Sequence, residues 1–181
     1  MAETQNQVEL LETQLDEKEI TIQQLTAQNG ELTEQVSTLG VAYYYINQDY
    51  EIVLDKKEEE ARKTAGEAIA AYADQFVGNP YVYGGNSLTS GCDCSHFIWL
   101  VLKNAIGYAG SYSCEESVWL SRGTAVNSLA EAQAGDIIVY PGHYGIYDGN
   151  GYIIEARSPS AGITHDIKAT YTTILGIRRF V

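Results

Sequence analysis

Val8, Leu11, Leu15, Ile22, Leu25, Leu32, Val36 and Leu39 recur on alternating steps of three and four residues. A 3.5-residue period fills the a and d positions of a heptad repeat and predicts a supercoiled helix rather than a lone amphipathic one. Lys18 occupies one d position and Asn29 one a position. A buried Asn at a weakens the seam but favours a parallel two-stranded register, because its amide can pair with its twin. The phase continues past Gly30 and Gly40, with Tyr43 and Tyr50 at a and Ile46 and Val53 at d. Residues 1–54 therefore read as a coiled-coil helix on the order of 80 Å long. Two alternatives stand beside it: a helix packed on its own downstream domain, and a helical hairpin turning at Asn29-Gly30. The phase fails at Lys57 and Glu60, and residues 55–65 read as a charged helical linker.

Charge follows the same division. The net charge is −13, with 14 acids and 5 bases in residues 1–64 against 10 acids and 6 bases in residues 65–181. A chain this acidic, without a basic stripe, argues against nucleic acid as a partner. It offers no attraction to anionic membranes either. No apolar segment is long enough to span a bilayer, and no signal peptide opens the chain.

Residues 66–181 read as a separate α+β domain. Ala68, Ile69, Tyr72, Ala73 and Phe76 share a helical face that Gly78-Asn79-Pro80 ends. Gly91-Cys92-Asp93-Cys94-Ser95-His96-Phe97 reads as a loop entering a helix, with Cys94 in the first turn and Gly107 as the stop. Free N–H groups and the macrodipole at a helix start favour thiolate over thiol, and the thiolate is the nucleophile. The plainer reading is a small buried cysteine opening a core helix. Residues 108–122 read as irregular. Ile137–Tyr140, Tyr144–Tyr147 and Tyr152–Glu155 read as an antiparallel meander turning at Asp148–Gly151, with a closing strand over residues 173–180. Helices first and strands last give the α+β class.

Three histidines can serve a thiol. His96 lies two residues from Cys94 on another side of its helix, and His165 sits in a polar loop and reads as a surface residue. His143 opens a strand of buried type after Pro141-Gly142. With Asp148-Gly149-Asn150 as a three-residue turn, His143 falls opposite Glu155 on one face; a two-residue turn would separate their faces. A carboxylate there can orient an imidazole and stabilise its protonated form. The plainer reading of Glu155 is an edge-strand residue facing water.

Tyr81-Val-Tyr-Gly-Gly85, Asp93-Cys94-Ser95, Ala134-Gly135-Asp136, His143-Tyr-Gly-Ile-Tyr147 and Gly149–Ala156 occur in that order. The series resembles the NlpC-type cysteine peptidases, bacterial cell-wall hydrolases with a papain-like fold, from about residue 66 onward. The resemblance implies a peptidoglycan endopeptidase acting on stem peptides, at the bond from γ-D-glutamyl to a diamino acid. It implies Cys94 as nucleophile, His143 as base and Glu155 as the orienting group, where the family usually has His, Asn or Gln. The Cys94 amide and the Tyr81 hydroxyl would hold the oxyanion, with Tyr83 as the alternative. Asp93 and Ser95 would hold substrate, unless Asp93 is simply the helix N-cap. His96 stands where the family commonly has Gly. Cys114-Glu-Glu-Ser-Val-Trp119 replaces the usual groove segment, which puts His96, Tyr83 and Trp119 among the substrate-side candidates.

The resemblance also implies export, so that this chain would be a mature fragment with an added Met1. One reactive thiol plus an optional Cys92–Cys114 pair fits that setting, and two reduced structural thiols fit equally. The expected partners are peptidoglycan stem peptides and a second copy of the coiled coil, or a membrane-associated regulator docked on it. No cofactor is expected. A metal site from Cys92, Cys94, His96 and Cys114 is disfavoured, because Cys-x-Cys-x-His packs ligands too tightly for zinc. Two rivals remain: an N-acyl amidase or transferase on the same fold, and a non-catalytic wall- or partner-binding module.

Overall fold

The computed structural model describes residues 2–181. The first element, α1, runs from Ala2 to Asp74, and the chain divides into two compact units after Lys56. In the first unit the helix passes through Gly30 and Gly40 without a break, so a hairpin at Asn29-Gly30 does not form. The heptad side chains stand in solvent, from 48% exposed at Val8 to 69% at Val36. Thr21, Thr26 and Thr33 each donate a hydroxyl to the carbonyl four residues earlier, which satisfies the hydroxyl within the helix.

The second unit begins inside α1. Its last turns bury Ile69, Ala70 and Ala73 in a core shared with the rest of the domain. Gly66 is where the helix meets the loop at Ala134-Gly135. A Cβ on Gly66 would lie 2.3 Å from the Ala134 carbonyl oxygen, and one on Gly135 2.3 Å from the Gly66 oxygen. Backbone therefore touches backbone, which only glycine at both positions permits. The adjacent Asp136 is buried and receives Nε and Nη2 of Arg179 at 2.9 and 2.8 Å, a two-pronged bond between loop and sheet.

After α1 come β1 (Asn86–Ser87), β2 (Gly91–Cys92), α2 (Cys94–Ile106), α3 (Glu116–Leu120) and β3 (Thr124–Val126). Then follow β4 (Ile137–Tyr140), β5 (His143–Tyr147), β6 (Tyr152–Ser158), β7 (Gly162–Lys168) and β8 (Gly176–Arg179). β1 and β2 form a small ribbon, and the other six form one antiparallel sheet in the order β3-β8-β4-β5-β6-β7. Phe97, Ile98, Val101 and Leu102 of α2 are fully buried with Ile137, Val139, Ile146 and Ile154 of the sheet. Ile138, Tyr140, Ile153 and Ile177 fill a second cluster on the opposite face.

The α+β class and the meander are as expected. Five elements are not, and two of them are the short strands β1 and β2, in stretches given no strand from the sequence. Residues 108–122 contain α3, and Thr124–Val126 forms an edge strand. The stretch read as a polar loop around His165 is β7, paired along β6. Its alternation is weak because an edge strand is held by backbone bonds on one side, not by an apolar face. His165 is not a free surface residue: its ring bridges Asp74 at 2.7 Å and Asp148 at 3.3 Å.

Candidate active site

The loop that delivers Cys94 is built from Gly84-Gly85 and Asp93. Gly84 adopts φ +70°, and its N–H donates to Asp93 Oδ2 at 2.9 Å. A Cβ on Gly85 would lie 2.5 Å from the Gly91 carbonyl oxygen. Asp93 caps α2, accepting the His96 N–H at 2.9 Å. Its Oδ1 also takes the Ser95 hydroxyl at 2.8 Å and faces the His96 ring at 3.1 Å. Burial alone would raise the Asp93 pKa, but these donors together hold it below the usual carboxylate range. Cys94 is the first residue of the capped helix, so its own N–H lies outside the helical ladder.

Asp93 and Ser95 border the cleft, but their polar atoms are already engaged. Ser95 gives its proton to Asp93, so the Tyr112 hydroxyl at 3.0 Å donates to Ser95 Oγ. Tyr112 also stacks on the His96 ring with centroids 3.8 Å apart. His96 is thus a buttress between Asp93 and Tyr112 rather than a group reaching for substrate. Tyr112 was not legible as a site residue, since its partners lie in the loop around Cys94, far away in the chain.

β5 and β6 bring His143 to Glu155, though not by the expected register. Tyr147 pairs with Ile153 and Ile146 with Ile154, so the turn is longer than three residues and His143 does not face Glu155 directly. The shift is two positions, which keeps both side chains on one face as diagonal neighbours. His143 Nε2 meets Glu155 Oε2 at 2.5 Å. Glu155 is only 2% exposed and so is not a water-facing edge residue. Asp148 makes the longer turn by accepting the N–H groups of Asn150 and Tyr152 on Oδ1.

With Nε2 taken by Glu155, Nδ1 is the nitrogen left for Cys94, whose charge also acts on the ring. Burial of His143 works against its charged form. The bonds and negative charge of Cys94 and Glu155 overcome that and push its pKa up to about 9. The neighbouring sulfur and carboxylate therefore favour the protonated imidazole. A thiolate–imidazolium pair with a fixed third group can carry out acyl transfer.

A cleft of about 370 Å³ opens over Cys94, bordered by Tyr81, Tyr83, Tyr112, Cys114, Glu116 and Tyr144. Tyr81 is tied beside Cys92 by a parallel bridge, and burial followed by the charge of Cys94 raises its pKa. Tyr83 borders the same cleft but is 89% exposed. Trp119 does not belong to the substrate side. It is fully buried, packs among Tyr108, Tyr144 and Phe180, and donates its indole N–H to the Ser113 carbonyl at 2.8 Å. All three cysteines are free: Cys92 is buried, Cys94 partly so, and Cys114 exposed. Among the described residues, no group of three or more His, Cys, Asp or Glu side chains is placed to hold a metal ion. A larger cleft of about 800 Å³, near Asp74, Asp148 and His165, is lined by no Cys, Ser or Thr among the described residues.

A family model described as the NlpC/P60 family matches residues 78–175. The chain is 34% identical over 120 residues to the probable peptidoglycan endopeptidase LytE of Bacillus subtilis (strain 168), which covers 62% of this chain and 34% of the relative. It is 30% identical over 127 residues to the gamma-DL-glutamyl hydrolase of the same organism, covering 65% of this chain and 30% of the relative. The chain thus spans about a third of the length of these curated relatives. Among solved structures, the NlpC/p60 domain of the peptidoglycan hydrolase SagA aligns with TM-score 0.54 and 30% identity, covering 64% of this chain and 98% of that one. The peptidoglycan hydrolase RipB from Mycobacterium tuberculosis aligns with TM-score 0.56 and 26% identity, covering 66% of each chain.

Proposed function

The chain belongs to the NlpC/P60 family, and from that premise we propose that it is a peptidoglycan hydrolase working as a cysteine endopeptidase. The observation that carries the reading is the His143–Glu155 hydrogen bond beside the open cleft that Cys94 lines, with the charge of Cys94 acting on the same ring. The Cys94 thiolate attacks the carbonyl carbon of a stem-peptide amide. The Cys94 N–H and the Tyr81 hydroxyl face the developing oxyanion. His143 gives its Nδ1 proton to the leaving amine, the C–N bond breaks, and a thioester remains. Water then loses a proton to His143 and attacks the thioester, which frees the acid and restores the thiolate beside a protonated His143. Glu155 keeps the imidazolium oriented and compensated throughout.

The bond is the amide from γ-D-glutamyl to a diamino acid. Two relatives support this, one named for peptidoglycan endopeptidase activity and one for γ-glutamyl hydrolysis. Such a substrate lies outside the cytoplasm, so the protein acts after export. The exposed heptad row makes a parallel two-stranded coiled coil with a second copy. In that register Gln7 and Gln14 at g face Glu12 and Glu19 at e of the partner copy, so no like charges meet across the seam. A regulator docked on the same helix is the other partner class.

Digestion of purified muropeptides, read by mass spectrometry with wild type and Cys94→Ala, is the test. Fragments ending in free D-glutamate from wild type alone support the reading. Identical digests from the two proteins remove it.

A further inference from the structure

Glu116 has no part in the chemistry above, yet α3 carries it into the cleft beside Cys94. Its Oε1 accepts the Gly142 N–H at 2.5 Å, one residue before His143. That bond holds the carboxylate in place. No second donor reaches its Oε2 among the described residues. The other acid bordering the cleft, Asp93, is already occupied by Gly84, Ser95 and His96. Among the described residues, no Lys or Arg borders the cleft. Arg157 lies in a separate hollow with His143 and is paired with Asp166 at 3.6 Å. The cleft therefore presents one fixed carboxylate with no counter-ion.

Resting on the peptidase reading, we propose that Glu116 sets substrate preference by receiving a primary ammonium close to the scissile bond. A neutral side chain entering the cleft would strip water from Glu116 without replacing its bonds, and an added carboxylate would be repelled. An ammonium would make a charge-assisted bond to Oε2. The ammonium can come from the side chain of the diamino residue or from the free N-terminus of the stem peptide. A diamino residue whose side chain ends in ammonium alone, as in lysine, fits better than one that also carries a carboxylate there.

Three synthetic peptides separate these sources: acetyl-L-Ala-γ-D-Glu-L-Lys, its norleucine counterpart, and the norleucine peptide with a free N-terminus. Binding is measured by NMR titration of the full chain as Cys94→Ala and as Cys94→Ala/Glu116→Gln. Glutamine keeps an oxygen for the Gly142 N–H and removes only the charge. The expected result is about tenfold tighter binding of an ammonium-bearing peptide than of the acetylated norleucine peptide, with the ratio falling towards one in the Gln variant. Preference in the lysine arm assigns the side-chain amine, and preference in the free-terminus arm assigns the α-amine. Equal binding of all three peptides, or a preference that survives Glu116→Gln, overturns the proposal. Wild type that cleaves none of the peptides would count against the peptidase reading, while the binding ratios still decide the role of Glu116.

Discussion

His143 and Glu155 hydrogen-bond across a diagonal of the β5–β6 ladder, not across a directly opposed pair. The carboxylate is buried, so its charge acts on the imidazole with little screening. The His143 pKa is raised from 6.5 to about 9, which means its stabilising contribution is full below 6.5 and is lost as pH rises through about 9. Glu155→Gln keeps the shape and removes the charge. We expect the basic limb of the kcat/KM profile to move to lower pH, with turnover reduced at least tenfold, and the fall in stability between pH 6.5 and 9 to flatten. A variant with the wild-type pH profile would show that the carboxylate does not act on His143.

The three thiols should separate by alkylation rate. Cys92 is fully buried, and burial first, then the charges of Asp93 and Cys94, pushes its pKa up to about 12. It should resist iodoacetamide until the protein unfolds. Cys114 is exposed and open to the reagent in the folded protein. Cys94 should react faster than both near neutral pH, and His143→Ala should bring it down to the rate of Cys114. Peptide mapping over a time course checks the order, and equal labelling of Cys94 and Cys114 in wild type would contradict it.

Two glycines of α1 should respond in opposite directions. At Gly30 an added Cβ meets nothing within 4 Å, so Gly30→Ala should stabilise the helix by about 0.5–1 kcal/mol. At Gly66 the same methyl runs into the Ala134 carbonyl, so Gly66→Ala should destabilise the domain by about 1–3 kcal/mol. Urea unfolding followed by circular dichroism measures both. A neutral Gly66→Ala would mean that the loop at Ala134-Gly135 yields freely.

Assembly tests the exposed seam. Sedimentation velocity of the full chain should give a dimer, and Leu25→Asp with Leu32→Asp should give a monomer with the domain still folded. Asn29→Ile should raise thermal stability and loosen the oligomer number, because the amide that selects a paired register is gone. A monomeric wild type at micromolar concentration would leave the apolar row to a different partner.

Local patterns were readable from the chain alone. The heptad phase predicted a helix through Gly30 and Gly40, since each glycine costs only about 1 kcal/mol relative to alanine. The Asp93-Cys94 boundary carried its own cap, and the apolar face of α2 pointed to the core. Glu155 was found by an argument whose register was wrong. The error of two positions preserved the face, because side chains alternate with a period of two along a strand. What contacts between distant segments decide was not readable. Whether Trp119 is a groove residue or a core residue depends on Tyr108, Tyr144 and Phe180 closing around it. Whether Asp93 is free for substrate depends on Gly84, nine residues away, donating to it. β7 formed from a polar sequence because β6 offered it a backbone edge. Short-range periodicity fixes which face a residue takes on its own element; only the packing of elements decides what that face meets and which polar atoms remain unclaimed.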